Sequence, residues 1–167
     1  KLPPILMRQY QNPADLMAVF TRRAARSALD VDDFGFVAQD VQALQALLRN
    51  AAQRKETGVN VLVYGPPGTG KTELARVLAQ SCGMDLYEVE YADRDGNALN
   101  GRDRYRSLQI AQVFLRSSAN ALLLFDEVED VFPRPNRLLY AQDGAEAVGP
   151  GVNGKAWVNQ VLESNAV

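Results

Sequence analysis

Three observations predict an α/β fold with a mainly parallel sheet. Short apolar, β-branched segments alternate with helix-periodic ones, the usual signature of βα units. A glycine-rich turn, Gly65–Thr72, sits between one such segment and a helical one. A second apolar run, Ala121–Phe125, ends in two carboxylates, Asp126 and Glu127. The chain of 167 residues is long enough for a domain with a sizeable buried core.

Residues 1–12 (KLPPILMRQYQN) read as an irregular lead-in, because Pro3 and Pro4 disfavour helix. Asn12-Pro13 reads as an N-cap with proline at the first helical position. Leu16, Met17, Phe20 and Ala24 follow at helical spacing, predicting a helix over 13–29 with Arg22, Arg23 and Arg26 on its solvated face. Val31–Phe36 breaks the period, and Val41, Leu44, Leu47 and Leu48 mark a second helix over 38–54. Val59–Tyr64 (VNVLVY) predicts a buried parallel strand. Helix resumes over 73–81, and Met84–Tyr91 predicts a second strand. After the polar turn 93–101 comes a helix over 102–117, with Leu108, Ala111 and Leu115 on one face, then the strand at 121–125. Pro- and Gly-rich residues 133–154 read as a long loop, and 154–164 as a last helix.

Composition narrows the chemistry. The apolar fraction of 47% and charged fraction of 23% are those of an ordinary globular domain, which excludes collagen-like and wholly disordered readings. A net charge of −2 gives nucleic-acid binding no support from bulk charge. With no His and only Cys82, a structural zinc site, an internal disulfide and Ser-His-Asp or Cys-His catalysis are excluded. The general base must then be a carboxylate or a lysine. The longest apolar run is too short to span a bilayer and no signal pattern opens the chain, so the expected setting is a reducing cytoplasm. Lys1 at the start suggests a fragment or a processed product.

Gly65-Pro-Pro-Gly-Thr-Gly-Lys71-Thr72 matches G-x-x-x-x-G-K-[ST]. Glycines admit backbone conformations closed to other residues and let N–H groups approach phosphate oxygens. The following helix adds the positive end of its dipole. Lys71 can reach the β- and γ-phosphates, and the Thr72 hydroxyl can ligate Mg²⁺. By composition alone the fixed positions recur in about one chain in a hundred of this length. A preceding strand and a following helix make coincidence rarer. Ligands gather at the carboxyl ends of parallel strands, so Asp126 should lie beside this loop and hold hydrated Mg²⁺. Glu127 is then the candidate to orient or deprotonate the attacking water.

At these residues the chain resembles the AAA+ ATPases. The likeness rests on GPPGTGKTELA (65–75), LLLFDEVEDVFP (122–133) and a weaker match at DDFGF (32–36), and covers residues 32 to about 165. It implies a three-layer αβα P-loop NTPase core with a mainly parallel sheet, preceded by N-terminal helices over 1–30 and, in residues 31–167, lacking the helical lid. It implies ATP or ADP and Mg²⁺ as ligands. Gly68, Thr69, Gly70, Lys71 and Thr72 would take the phosphates, flanked by Pro67 and Glu73. Asp126 would take the magnesium, with Thr72, and Glu127 the water. Phe34 and Gly35 would line the adenine pocket. The resemblance further implies a ring oligomer, commonly a hexamer, that grips a macromolecule, with protein favoured over nucleic acid and no membrane partner.

Three departures qualify the likeness. The Phe34-to-Gly65 spacing is short for the protein-remodelling branch. The loop Gly96–Gly101 has only Leu99 where that branch carries an aromatic-apolar pair. The strand that senses the γ-phosphate, expected between 59–64 and 121–126 in the sheet, is missing or barely begun. Residues 59–64 and 121–126 should therefore not pair directly, and the natural chain should continue past Val167. Two alternatives stand beside ATP-driven remodelling. One is a nucleic-acid motor or loader using Arg102, Arg104 and Arg106 on a phosphate backbone. The other is an ATP-gated interaction module without productive turnover.

Overall fold

The computed structural model describes residues 13–92, 96–116, 118 and 120–128. The expected lead-in 1–12, the loop 133–154 and the helix 154–164 lie outside the described residues, as do Glu129 and Asp130. Helix α1 covers Pro13–Met17, and strand β1 covers Thr21–Arg23. A 3-10 segment, Val31–Val37, leads into α2, Ala38–Arg54. After the glycine-rich loop 65–70 come α3 (Lys71–Cys82), β2 (Asp85–Val89), α4 (Gly101–Leu115) and β3 (Ala121–Leu124).

The helix expected over 13–29 stops at Met17. The Val19 and Phe20 N–H groups donate back to the Leu16 and Met17 carbonyls and turn the chain. Residues 21–23 then gain a strand partner, pairing antiparallel with β2 in the register Thr21↔Val89, Arg22↔Glu88, Arg23↔Tyr87. Leu16, 1% exposed, anchors α1 where it touches α4. Tertiary pairing outweighs helical periodicity here, as it does for short elements. Arg22 and Arg23, expected on a solvated helix face, instead meet Glu88 and Asp85.

The break at 31–36 and the helix 38–54 form as expected. Asp30 caps the 3-10 segment through a capping box with Asp33. Lys55 ends α2 in the left-handed region at φ 52°.

The sheet order is β1-β2-β3, and only β2–β3 is parallel (Asp85↔Ala121 through Glu88↔Leu124). The described sheet is therefore mixed rather than mainly parallel, because β1 caps the β2 edge. Side chains alternate across it. Leu122 packs into a core of Phe34, Val41, Leu48, Val77 and Leu78. Leu123 and Phe125 pack against Val89, Tyr105 and Leu108. The 3-10 segment, α2 and α3 thus cover one face and α4 the other, giving helix, sheet and helix layers.

Residues 59–64 form no strand among the described residues, which corrects the expected buried strand. Leu62 and Tyr64 are 72% and 87% exposed. A strand needs a neighbour, and β3 pairs only with β2 among the described strands.

Tyr105, buried in the α4 core, has its phenol pushed up to about 12 by that burial. The folded value lies above the ordinary value of 10.0, so the neutral phenol's contribution is intact below pH 10 and lost as pH rises toward 12. Urea midpoints should fall above pH 10 in the wild-type chain. Tyr105→Phe should remove that part of the fall; an unchanged alkaline limb would count against it.

Candidate nucleotide site

The glycine-rich loop runs from Gly65 to Gly70 and delivers Lys71 and Thr72 on the first turn of α3. Gly68 (φ 76°) and Gly70 (φ 85°) take the left-handed region, which L side chains rarely adopt. Space does not exclude a side chain: nothing lies within 4 Å of a Cβ built at Gly68, and at Gly70 the nearest atom is Phe34 Cε1 at 3.8 Å. Conformation, not crowding, requires glycine at both. Lys71 Nζ donates to the carbonyls of Gly65 (3.0 Å) and Pro66 (2.9 Å). The Thr69 hydroxyl donates to Pro66 O at 2.9 Å, so the loop closes on itself.

The acidic pair follows β3. Asp126 Oδ2 accepts from Thr72 Oγ1 at 2.7 Å, and Asp126 Oδ1 accepts from the Glu127 N–H at 2.9 Å. Glu127 has φ 50°, one of two non-glycine residues in the left-handed region among those described. Such a conformation stores about 1–2 kcal/mol of strain at a non-glycine residue. A cavity of about 180 Å³ opens here, lined by Thr72, Asp126 and Glu127 together with Glu88, Arg22 and Arg104 among others.

Of the residues singled out by sequence, the structure brings Thr72, Asp126 and Glu127 to one cavity, beside the loop that holds Gly68, Thr69, Gly70 and Lys71. Pro67 lies on the exposed rim of that loop. Phe34 is 5% exposed and belongs to the core behind Gly70, while Gly35 is exposed. Glu73 is held sideways: Ser27 Oγ donates to its Oε2 at 2.8 Å and Arg76 pairs with its Oε1. The Ser27 hydroxyl, then Arg76, holds the Glu73 carboxyl below its ordinary value.

Two arrangements escaped sequence reasoning. Glu88, 5% exposed, accepts from Arg22 Nε at 2.7 Å and from Arg76 Nη2 at 2.7 Å, tying β1, β2 and α3 together. No motif marks it, because the partners lie far apart in sequence. Arg104 is 4% exposed and turned inward, its guanidinium over the Phe125 ring at 4.8 Å. It donates to the Glu127 carbonyl at 3.3 Å and to the Asp126 carbonyl. A signal existed: Arg104 lies on the same 3.6-period stripe as Leu108, Ala111 and Leu115. Burial removes Arg104 from any basic surface, and Arg106 pairs with Asp103 at 3.4 Å.

The donor set suits Mg²⁺ rather than a protein-caged metal. Among the described residues no group of three or more His, Cys, Asp or Glu could hold an ion. Thr72 and Asp126 offer hard oxygens 2.7 Å apart, and Mg²⁺ characteristically uses one or two protein ligands with waters and phosphates. No described helix is long and apolar enough to cross a membrane.

The chain is 33% identical over 116 residues to the peroxisomal ATPase PEX1 of Cricetulus griseus, covering 61% of this chain and 9% of that protein. It is 32% identical over 116 residues to the peroxisomal ATPase PEX1 of Homo sapiens, with the same coverage of 61% and 9%. To the ATPase family AAA domain-containing protein 3 of Bos taurus it is 38% identical over 96 residues, covering 56% of this chain and 16% of that protein. The chain thus spans between 9% and 16% of the length of these curated relatives. No solved structure matches it. The family model for the ATPase family associated with various cellular activities matches residues 61–149. With the glycine-rich loop and the acidic pair inside that match, the chain belongs to the AAA family of ATPases.

Proposed function

We propose that the chain binds ATP with Mg²⁺ and hydrolyses it to ADP and phosphate, as the nucleotide-binding module of a ring-forming remodelling ATPase. One observation carries this reading: the 2.7 Å hydrogen bond from Thr72 Oγ1 to Asp126 Oδ2 joins the phosphate loop to the acidic strand end. These are the two groups that phosphoryl transfer needs together. The loop's N–H groups and the α3 N-terminus receive the phosphates, and Lys71 exchanges its carbonyl partners for phosphate oxygens. Thr72 and Asp126 would hold Mg²⁺, which would supply charge neutralisation to the bound phosphates. Glu127, at the cavity wall, orients the attacking water and accepts its proton. Gly35 lies on the adenine side, with Phe34 behind it.

ATP is favoured over GTP because the chain has no Asn/Thr-Lys-x-Asp segment. Protein substrates are favoured over nucleic acid, because buried Arg104 and paired Arg106 leave no three-arginine face. Ring assembly, as a hexamer, and a cytoplasmic setting belong to the same proposal.

Calorimetric titration of the chain tests it. Mg²⁺ should tighten ATP binding by about tenfold or more, and Thr72→Ala should erase that gain while changing Mg²⁺-free affinity by less than about threefold. No ATP binding, or a Thr72→Ala variant with full Mg²⁺ dependence, would sink the reading.

A further inference from the structure

We infer that Arg104 is the positioning residue for Glu127, clamping the backbone turn that presents its carboxylate to the cavity. The inference rests on the role proposed for Glu127 above.

Arg104 takes a place where an apolar side chain would complete the buried stripe of Leu108, Ala111 and Leu115. Burying a guanidinium is costly unless its donors are used. Two of its arms are used on successive carbonyls, those of Asp126 and Glu127. Both residues lie beyond the last ladder residue of β3, Leu124, where no neighbouring strand among the described residues satisfies the backbone. The planar fork reaches two acceptors in fixed geometry, which a lysine ammonium does not reproduce. Stacking on Phe125 fixes the plane of that fork.

The clamp falls on the one residue of the acidic pair with strained backbone. Glu127 holds φ 50°, and relaxation to an ordinary φ near −65° would rotate it by more than 100° about that bond. Such a rotation moves a carboxylate by several ångströms, and a misplacement of about 1 Å already lowers a rate by about a hundredfold. Asp126 is held separately, through Thr72 Oγ1 and the Glu127 N–H. Loss of Arg104 should therefore fall on the water-directed step more than on nucleotide affinity.

The experiment compares wild type, Arg104→Met, Arg104→Lys, Glu127→Gln and the Arg104→Met/Glu127→Gln double variant. Arg104→Met keeps length and apolar bulk; it should lower kcat by about thirtyfold with KM within about threefold, and Arg104→Lys should recover part of that loss. On the Glu127→Gln background, Arg104→Met should change the residual rate by less than about twofold, because both act through one carboxylate. Amide hydrogen exchange is read on the same proteins. Exchange should accelerate over 125–128 while β2, α2 and α3 keep their rates.

Unchanged exchange in that turn overturns the inference, as does acceleration throughout the chain. An additive loss on Glu127→Gln, or a KM rise matching the kcat fall, also overturns it. A wild-type chain that binds ATP without turnover would refute the proposed hydrolysis instead, and the exchange comparison would still decide the clamp. If Arg104→Met fails to fold, the comparison is made on Arg104→Lys, which keeps the buried charge but has a single donor nitrogen in place of the fork.

Discussion

Glu127→Gln should lower ATP hydrolysis by about a hundredfold or more while leaving ATP bound, since a positioned general base contributes about 10²–10⁴ to a rate. The amide is nearly isosteric with the carboxylate and makes similar contacts, so the turn, its φ of 50° and the Asp126 contact should survive. What disappears is the capacity to take a proton. Neither the phosphate loop nor the Thr72–Asp126 pair depends on the Glu127 side chain, so nucleotide affinity should hold within about threefold. Phosphate release and equilibrium binding on the same preparation separate the two effects. A passive ATP-gated module would show little change in either. An enzyme would show a trapped ATP complex, and equal turnover in the two proteins would exclude Glu127 as the base.

Glu88→Ala should destabilise the fold by about 3 kcal/mol, the scale for removing one partner of a buried charge pair. Glu88 is buried and meets two guanidiniums, Arg22 at 2.6 Å and Arg76 at 2.7 Å. Their surroundings differ. Arg22 keeps 48% of its side chain exposed and can return to water, whereas Arg76 keeps 25%. Most of the loss should therefore come from Arg76, which retains only Glu73 among the ion-pair partners described. A lowered urea midpoint at constant m-value would show the expected effect. Glu88→Gln, which keeps shape and some hydrogen bonding, should lie between Glu88→Ala and wild type. A Glu88→Ala midpoint equal to wild type would show that the network contributes nothing net, as exposed ion pairs often do.

The local chemistry of the site was legible because it is written in contiguous residues. Gly65–Thr72 carries its own turn conformations, donors and following helix, and the Ala121–Glu127 run carries an apolar strand with its polar end. Helix 38–54 was legible for the same reason: Val41, Leu44 and Leu48 repeat at helical spacing against a single core. Legibility failed where a residue's state depends on a distant partner. Thr21–Arg23 continues a plausible helix until β2 offers it an edge with Glu88 and Asp85 opposite. Arg104 looked like one of three surface arginines, although its spacing from Leu108 placed it on the buried stripe. The carbonyls that keep it there, on Asp126 and Glu127, belong to a segment more than twenty residues away. Residues 59–64 show the converse: a strand-like sequence is only half of a strand.

That last segment bears on the energetics of the site. It leads directly into Gly65, so the phosphate loop is fixed on its far side by α3 but has no ladder on its near side among the described residues. Nucleotide and any strand that comes to lie along residues 59–64 would then contact adjoining stretches of one backbone. By thermodynamic reciprocity, any factor by which one changes the other's affinity is returned equally. Calorimetric titration of ATP with and without such a strand reads that factor from either side.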